Sequence, residues 1–205
     1  MIFMKKFVIL IVPIVSVIFI SCVTFLHPIT ENENDLIFRK ELLGNWVDKD
    51  SAHYIIEEAK DQGAKFYQAT IIDPTKSSEA GSFSDTSYFI ISLANIKGKL
   101  FLDCVADMKR FENKDLGELA VNSLIPAHLI IPVISIRQDV IELSPLDHDK
   151  ILALLNQGKF KMKKEIVNKN DILFTENPKN LQQKLIELEN FPAVFETSIR
   201  KRATN

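Results

Sequence analysis

Short runs of alternating apolar and polar residues, separated by turn residues, constrain the fold of this chain more than any other feature. They are rich in β-branched and aromatic side chains, and turn signals such as Asp73-Pro74 and residues 95–98 separate them. The runs cover residues 53–58, 65–72, 87–93, 99–105, 129–136 and 140–144. Alternation with a period of two gives each strand one face on a core and one face on solvent. The pattern predicts an antiparallel meander that curls to protect its edges.

Two helices are predicted in the second half of the chain. Asp147 is a natural N-cap for the first helix, which Gly158 ends. Thr175 or Asn177 caps the second, with Pro178 in its first turn. The predicted fold class is therefore α+β and β-rich, an antiparallel curled sheet or partial barrel with two or three packing helices.

The N-terminus has the pattern of a secretory signal. Residues 1–6 carry two lysines, residues 7–20 are almost entirely apolar, and a small residue and a cysteine follow at once. Residues 19–22, Phe-Ile-Ser-Cys, resemble the lipobox of bacterial lipoproteins, although Phe19 departs from the usual leucine. This resemblance implies that Cys22 becomes the new N-terminus and carries acyl chains such as palmitate.

This N-terminal pattern predicts three segments. Residues 1–21 would be a signal peptide, residues 22–35 a lipidated cysteine with a polar tether, and residues 36–205 a single β-rich globular domain. The chain would then be lipid-anchored on the extracytoplasmic side of the bacterial cell envelope. An alternative is an uncleaved anchor, because the apolar run over residues 7–26 is long enough to span a bilayer as a helix. Both readings place the domain outside the cytoplasm.

The charge balance argues against nucleic acid as a partner. The chain carries 25 Lys and Arg against 27 Asp and Glu, so it has no basic excess. Basic residues cluster only at residues 200–202 and, more loosely, at residues 159–164. Both clusters are predicted to be solvated charge, with a contact to phosphate or lipid headgroups as the less favoured alternative.

Two resemblances bear on the fold. Residues 43–46, Leu-Gly-Asn-Trp, resemble the Gly-x-Trp opening of lipocalin-type β-barrels, which implies that Trp46 plugs one end of a barrel. A buried Trp in any β-sheet remains the alternative. The order of strand, turn, cap and helix over about residues 38–200 is similar to a group of uncharacterised, lipid-anchored bacterial envelope proteins with a curled β-sheet core. That resemblance implies location and a β-rich fold, and it transfers no catalytic residue.

Short catalytic or cofactor motifs are absent from the sequence, so we assign no catalytic residue, cofactor or metal. His148 lies between two aspartates at a helix start, where capping is favoured over metal binding. Cys104 lies in an apolar run and is predicted to be a buried structural thiol.

His128 is the most interesting ionisable residue, because apolar residues flank it on both sides. A hydrogen-bonded core histidine is the favoured interpretation. Asp103 and Asp107 are four residues apart and so would lie on the same face of a strand. The favoured interpretation is that this face of the sheet is exposed to solvent. The alternative is that His128 works with Asp103 or Asp107 in an envelope hydrolase.

The leading functional hypothesis is a non-enzymatic, membrane-tethered envelope lipoprotein that binds an apolar or amphipathic ligand, or a partner protein, with its curled sheet. The side chains on the inward face of residues 66–105 decide between binding of a ligand in a cavity and binding of a partner protein on a surface. Small residues would leave a cavity, whereas Phe66, Phe89, Leu93 and Phe101 would fill the interior and favour a protein-binding surface. We expect a filled interior.

Overall fold

The computed structural model describes residues 23–73, 86–111, 126–167 and 172–203. The predicted signal peptide, residues 1–21, and Cys22 lie outside the described residues. The described strands are β1 (Thr24–Phe25), β2 (Leu36–Ile37), β3 (Gly44–Val47), β4 (His53–Glu58), β5 (Phe66–Ile72), β6 (Thr86–Ile96), β7 (Lys99–Ala106), β8 (His128–Ile136), β9 (Val140–Leu143), β10 (Lys164–Ile166), β11 (Ile172–Phe174) and β12 (Ser198–Arg202). The α-helices are α1 (Met108–Phe111), α2 (His148–Asn156) and α3 (Pro178–Glu187).

Eight of these strands close into an antiparallel barrel. The order around it is β8-β7-β6-β5-β4-β3-β12-β9, and β9 pairs back onto β8. Closure removes the exposed edges that an open meander would leave. Outside the barrel, β2 pairs with β6, while β1, β11 and β10 extend the sheet from β8. The predicted β-rich α+β class is confirmed, and the barrel is consistent with a lipocalin-like fold.

The local signals in the sequence locate most of the elements. Strands β4 and β8, and the end of α2 before Gly158, agree with the predicted pattern to within one or two residues. The side chain of Asp147 accepts a hydrogen bond from the Lys150 N–H, and that of Asn177 accepts one from the Asn180 N–H, so both caps are confirmed.

The sequence also predicts a brief helix over residues 36–43, capped by Asp35, and the structure shows that this prediction is wrong. Leu36–Ile37 forms β2, which pairs with β6 in the register Leu36 to Ala94, and 3₁₀ turns cover Glu33–Asp35 and Lys40–Leu42. A two-residue strand has no alternation that a sequence pattern could reveal, because its conformation is set by the strand beside it.

The barrel separates two apolar clusters. The inner cluster lines its interior and includes Phe89 and Leu93, as the sequence predicted. Phe66 and Phe101 instead belong to an outer cluster, which lies beneath α2, α3 and the N-terminal segment. Both faces of β6 and β7 therefore carry apolar residues that pack against a core, and Phe66 adds to the outer cluster at the start of β5. Side-chain size alone could not tell the faces apart, because each face packs against a core.

Residues 23–35, which the sequence predicted to be a tether, pack against the barrel instead. Phe25 and Ile29 are at most 1% exposed, and both belong to the outer cluster. Phe25 also pairs with His128 across β1 and β8. The few apolar residues of this segment are thus enough to bring it into the folded body. None of the helices in the described part of the chain combines the length and apolarity that a membrane crossing requires.

Candidate functional site: an apolar chamber in the barrel

A cavity of about 120 Å³, here called the chamber, lies in the barrel interior. Its lining comes from all eight barrel strands and from the 3₁₀ turn before β3. The lining residues are Leu42, Trp46, Tyr54, Ile56, Ala69, Ile71, Phe89, Ile91, Leu102, Cys104, Leu129, Ile131, Ile141, Leu143 and Arg200. Among the described residues that line it, only Arg200 carries a charge, so the chamber is an almost wholly apolar site.

Two small side chains explain why the interior is not completely filled. Ala69 lies opposite Phe89 across β5 and β6, and Cys104 lies between Ile91 and Leu129 on its two neighbouring strands. Both small residues are buried on the inward face. A large residue at either position would fill the chamber, because close-packed interiors leave few voids larger than a water molecule. The expected filled interior is thus only partly realised.

One end of the barrel, here called the closed end, is sealed around Trp46. Its indole is fully buried, and Nε1 donates a hydrogen bond of 2.9 Å to the carbonyl oxygen of Leu42. The guanidinium of Arg202 stacks on the indole, 4.2 Å from the ring centroid. Trp46 therefore forms the floor of the chamber and is held from both sides.

The same guanidinium satisfies backbone carbonyls around the closed end. Nε donates to Gln138 O at 2.6 Å, Nη1 to Leu43 O at 3.1 Å and Nη2 to Glu41 O at 3.2 Å. Gly44 makes room for it, because a Cβ at that position would collide with Nη1 of Arg202. Gly44 also has φ of +123°, a conformation that L side chains rarely adopt. The Gly-x-Trp pattern is thus explained by one arginine from the far end of the chain.

A second part of the chamber wall, beside Trp46 across β3 and β4, carries polar groups and is here called the mouth. The Tyr54 hydroxyl donates a hydrogen bond of 2.8 Å to Oδ2 of Asp48. The Arg200 guanidinium lies 4.5 Å from the Tyr54 ring centroid, and its Nη2 is 3.8 Å from Oδ2 of Asp48. Tyr54 and Arg200 are only partly buried, as are five further lining residues, Ile56, Ile71, Phe89, Leu129 and Ile131. We interpret the polar part of the wall, within the described ranges, as the place where the chamber meets solvent.

Burial and hydrogen bonding shift the pKa values of the mouth residues. Burial alone would raise the pKa of Asp48, but the hydrogen bonds from Tyr54 and Ala52, with the charge of Arg200, outweigh it and hold this pKa below its usual value. Burial raises the pKa of Tyr54 to about 12, against the lowering effect of Arg200. At neutral pH, Asp48 is therefore ionised, Tyr54 is protonated, and the charge of Arg200 is balanced.

The two arginines of β12 were predicted to be solvated, and this prediction is wrong. Arg200 and Arg202 are both partly buried, whereas Lys201 between them is exposed. Strand alternation explains the difference, since residues two apart share a face and the residue between them points outward. The Arg-x-Arg spacing was the signal available in the sequence, but it has this meaning only once the segment is known to be a strand.

Cys104 is a buried free cysteine, as predicted. Burial in the apolar interior, together with the neighbouring Asp103 charge, raises the pKa of its thiol well above the usual range. The thiolate is therefore scarce at neutral pH, and the thiol acts as an apolar lining group of the chamber.

His128 and Asp103 meet on the outer face of the barrel, away from the chamber. Nδ1 of His128 lies 2.6 Å from Oδ1 of Asp103, and Oδ2 of the same carboxylate accepts a hydrogen bond of 2.8 Å from the Ile29 N–H. Asp103 is only 5% exposed, so it does not lie on the predicted wet sheet face. Asp107 does not join this pair; its Oδ2 lies 3.5 Å from Nε of Arg110.

The His128 pair borders a surface groove of about 310 Å³ that also contains Ser92. The strand register places Asp103 directly opposite Ser92, while His128 lies one strand further along the sheet. A Ser–His–Asp triad needs the histidine between the other two residues, so this order does not form one.

Other ionisable residues do not assemble into a site. His148 is buried at the start of α2, where its Nδ1 lies 3.2 Å from Oδ1 of Asp149 and its Nε2 has no hydrogen-bond partner among the described atoms. Across the described ranges, no three His, Cys, Asp or Glu side chains are grouped so that they could hold a metal ion.

Comparison of the chain with protein-family models, curated proteins and solved structures finds no match.

Proposed function

We propose that this protein binds a short apolar group inside its barrel. The observation that carries the proposal is the chamber, a space of about 120 Å³ with an apolar lining, a floor at Trp46 and polar groups at the mouth beside it. Ligand sites in proteins are typically apolar cavities with a few placed polar groups, and the chamber with Asp48, Tyr54 and Arg200 has this composition.

The size of the chamber limits what it can hold. Whole-ligand sites have volumes of about 300–1,000 Å³, so the chamber is too small for a complete lipid. A dry engineered cavity of about 150 Å³ is known to take up benzene or xenon. The chamber therefore suits a small apolar molecule of about five or six heavy atoms, or the end of a longer chain that leaves through the mouth.

The charges at the mouth favour an uncharged ligand. Arg200 faces Asp48, whose two oxygens already accept hydrogen bonds from Asp50, Ala52 and Tyr54. An anionic head would have to displace this carboxylate, and a cationic one would meet Arg200. A neutral chain, alcohol or ester encounters neither cost.

The predicted setting is compatible with such a ligand. If Cys22 is lipidated and the protein is tethered to the bacterial envelope, acyl chains and other apolar molecules are available beside it. The alternative hypothesis is that the protein binds a partner protein. The presence of the chamber favours binding of a small ligand over this alternative.

Calorimetric titration of the full-length protein with n-alkanols from propanol to decanol tests the proposal. We expect saturable binding with an affinity that rises with chain length and levels off once the chamber is filled. Ala69→Leu places a larger side chain in the chamber and should abolish binding. The matched control Ala153→Leu, at an exposed position on α2, should leave binding unchanged.

A second variant keeps the test decisive if Ala69→Leu does not fold. Ile91→Ala enlarges the chamber, so the alkanol length at which the affinity levels off should increase. The proposal is contradicted if the alkanol affinity changes with chain length in the same way in the wild type, Ala69→Leu and Ile91→Ala. That result would show that the alkanols bind outside the chamber.

A hydrolase built on His128 is the second candidate, because the 2.6 Å contact to Asp103 orients the imidazole. The carboxylate can only accept a hydrogen bond, so Nδ1 carries a proton and Nε2 is left to act as a base on water in the groove. His128→Gln should then remove an esterase activity without lowering the unfolding free energy. The opposite result would be a wild type without esterase activity and a variant with a lower unfolding free energy. In that case His128 and Asp103 have a structural role, which is to connect β7, β8 and the segment containing Ile29.

A further inference from the structure

A basic and apolar surface lies at the free edge of the extended sheet. It is formed by Lys159, Lys161, Lys163, Ile166 and Val167, and is here called the β10 patch. Ile166 is 70% exposed and Val167 is 60% exposed, the largest exposed fractions among the large apolar residues of the described chain. The three lysines are also exposed. Large apolar side chains rimmed by charge at a surface are typical of an interaction site.

The β10 patch carries a net positive charge. Residues 159–167 contain four lysines and a single acidic residue, Glu165. None of the four lysines forms an ion pair with another residue that the structure describes. Their charge is therefore available to an anionic partner.

The chain enters the folded body close to this patch. Thr24 in β1 lies opposite Leu173 in β11, which in turn lies opposite Glu165 in β10. Two strand spacings separate Thr24 from Glu165, a distance of about 10 Å. The strand directions place Ile166 at the end of β10 that corresponds to the start of β1. The chain before Thr24 therefore approaches the body on the side of Ile166 and Val167.

The sequence before this point is apolar. Residues 7–20 form an almost unbroken apolar run, and Cys22 precedes the buried Val23 directly. Since β1 is part of the sheet, no long linker separates an anchor at these residues from the β10 patch. A membrane that holds the N-terminal segment would thus lie within reach of the patch.

We propose that the β10 patch faces an anionic lipid surface, with Ile166 and Val167 in the interfacial region and the lysines at the headgroups. Basic residues near an anionic membrane are attracted to it, and exposed aliphatic side chains gain from leaving water. Lysines on an edge strand also prevent pairing with other chains, and that role alone requires no lipid. The proposal does not depend on the chamber, so it can fail while ligand binding holds.

Lysine acetylation of the full-length protein in lipid vesicles tests this orientation. The vesicles contain either phosphatidylglycerol with phosphatidylethanolamine or phosphatidylcholine alone, and peptide mass spectrometry reports the rate at each lysine. We expect Lys161 and Lys163 to react about fivefold more slowly in the anionic vesicles, with recovery at high salt. Lys60, which follows β4, and Lys109, which is in α1 after β7, are both exposed; they serve as internal controls and should not change.

Replacing both apolar residues, Ile166→Ser with Val167→Ser, should weaken this protection. Ile134→Ser is the matched control, because Ile134 is also exposed, at 57%, but lies on β8. Fluorescence of Trp46 reports whether each variant is folded.

Two results would overturn the proposal. Equal acetylation of the patch and control lysines in both kinds of vesicle would show that the patch is not at the membrane. Protection that rises with protein concentration in neutral vesicles would show that a second copy of this chain covers the patch instead.

Discussion

The closed end and the mouth each pair an arginine with an aromatic residue, but the two arginines have different hydrogen-bond and charge partners. Arg202 stacks on Trp46 at the closed end, and Arg200 stacks on Tyr54 at the mouth. The arginines are two residues apart on β12, and the two aromatic residues are direct partners across β3 and β4. At the closed end the guanidinium donates to three backbone carbonyls, whereas at the mouth it faces the carboxylate of Asp48.

This difference separates a fixed part of the chamber from an adjustable one. At the closed end, Arg202 connects the 3₁₀ turn before β3 to the turn between β8 and β9 through three backbone carbonyls, and Trp46 is fully buried. The mouth is made of side chains that are partly exposed and can change rotamer without disturbing the sheet. The structure is therefore rigid where the chamber ends and adaptable where a ligand would enter.

The largest effect should come from removing the floor of the chamber. Trp46→Ala creates a large cavity and leaves the Arg202 guanidinium without its ring, so the unfolding free energy should fall by about 3–5 kcal/mol. Urea unfolding followed by circular dichroism measures it. Tyr54→Ala, the partner change at the mouth, should cost clearly less, and equal losses would remove the distinction between the closed end and the mouth.

The two arginines provide a sharper test of the same comparison. Arg202→Met leaves backbone carbonyls without a donor and should cost about 2 kcal/mol. Arg200→Met removes a partly exposed ion pair at 3.8 Å and should cost at most about 1 kcal/mol. Chemical unfolding of the two variants side by side gives the values. A larger loss for Arg200→Met than for Arg202→Met would contradict the assignment of a fixed closed end and an adjustable mouth.

The smallest effect should be the pH dependence of the mouth. The pKa of Asp48 in the folded protein lies below its usual value of 3.8, so the stability it contributes is present above that pH. It is lost as the pH falls through the lower folded value. Asp48→Asn should therefore flatten the acid limb of a stability profile below about pH 4, while Asp50→Asn should not. Identical acid limbs in the wild type and Asp48→Asn would contradict this.

Sequence patterns predicted the parts of the fold that local chemistry determines. The alternating runs predicted six of the eight barrel strands, β4 to β9, and Asp147 and Asn177 predicted the helix starts, because a strand face or a cap depends on residues close in sequence. The other two barrel strands, β3 and β12, were not among the predicted runs. The same patterns predicted β1 and β2 poorly. These strands have two residues each, and their pairing with β8, β11 and β6 is a tertiary effect.

The candidate site was only partly predictable for a related reason. Trp46 was identified from the Gly-x-Trp pattern, but its partner Arg202 lies more than 150 residues away in sequence. The chamber depends on the positions of Ala69 and Cys104 relative to larger residues on neighbouring strands, which requires the register. The sequence offered two possible partners for His128, namely Asp103 and Asp107. The strand register of β7 and β8 was needed to show that the partner is Asp103.

The most direct test of the central claim is a crystal of the protein pressurised with xenon. Xenon binds dry apolar cavities of this size and needs no particular polar contact. A xenon peak among Ala69, Ile91 and Cys104, absent from Ala69→Leu crystals, is the result that the apolar chamber predicts. Ordered water at that position, or no density for xenon in the barrel, would show that the interior is hydrated or filled and would contradict a binding chamber.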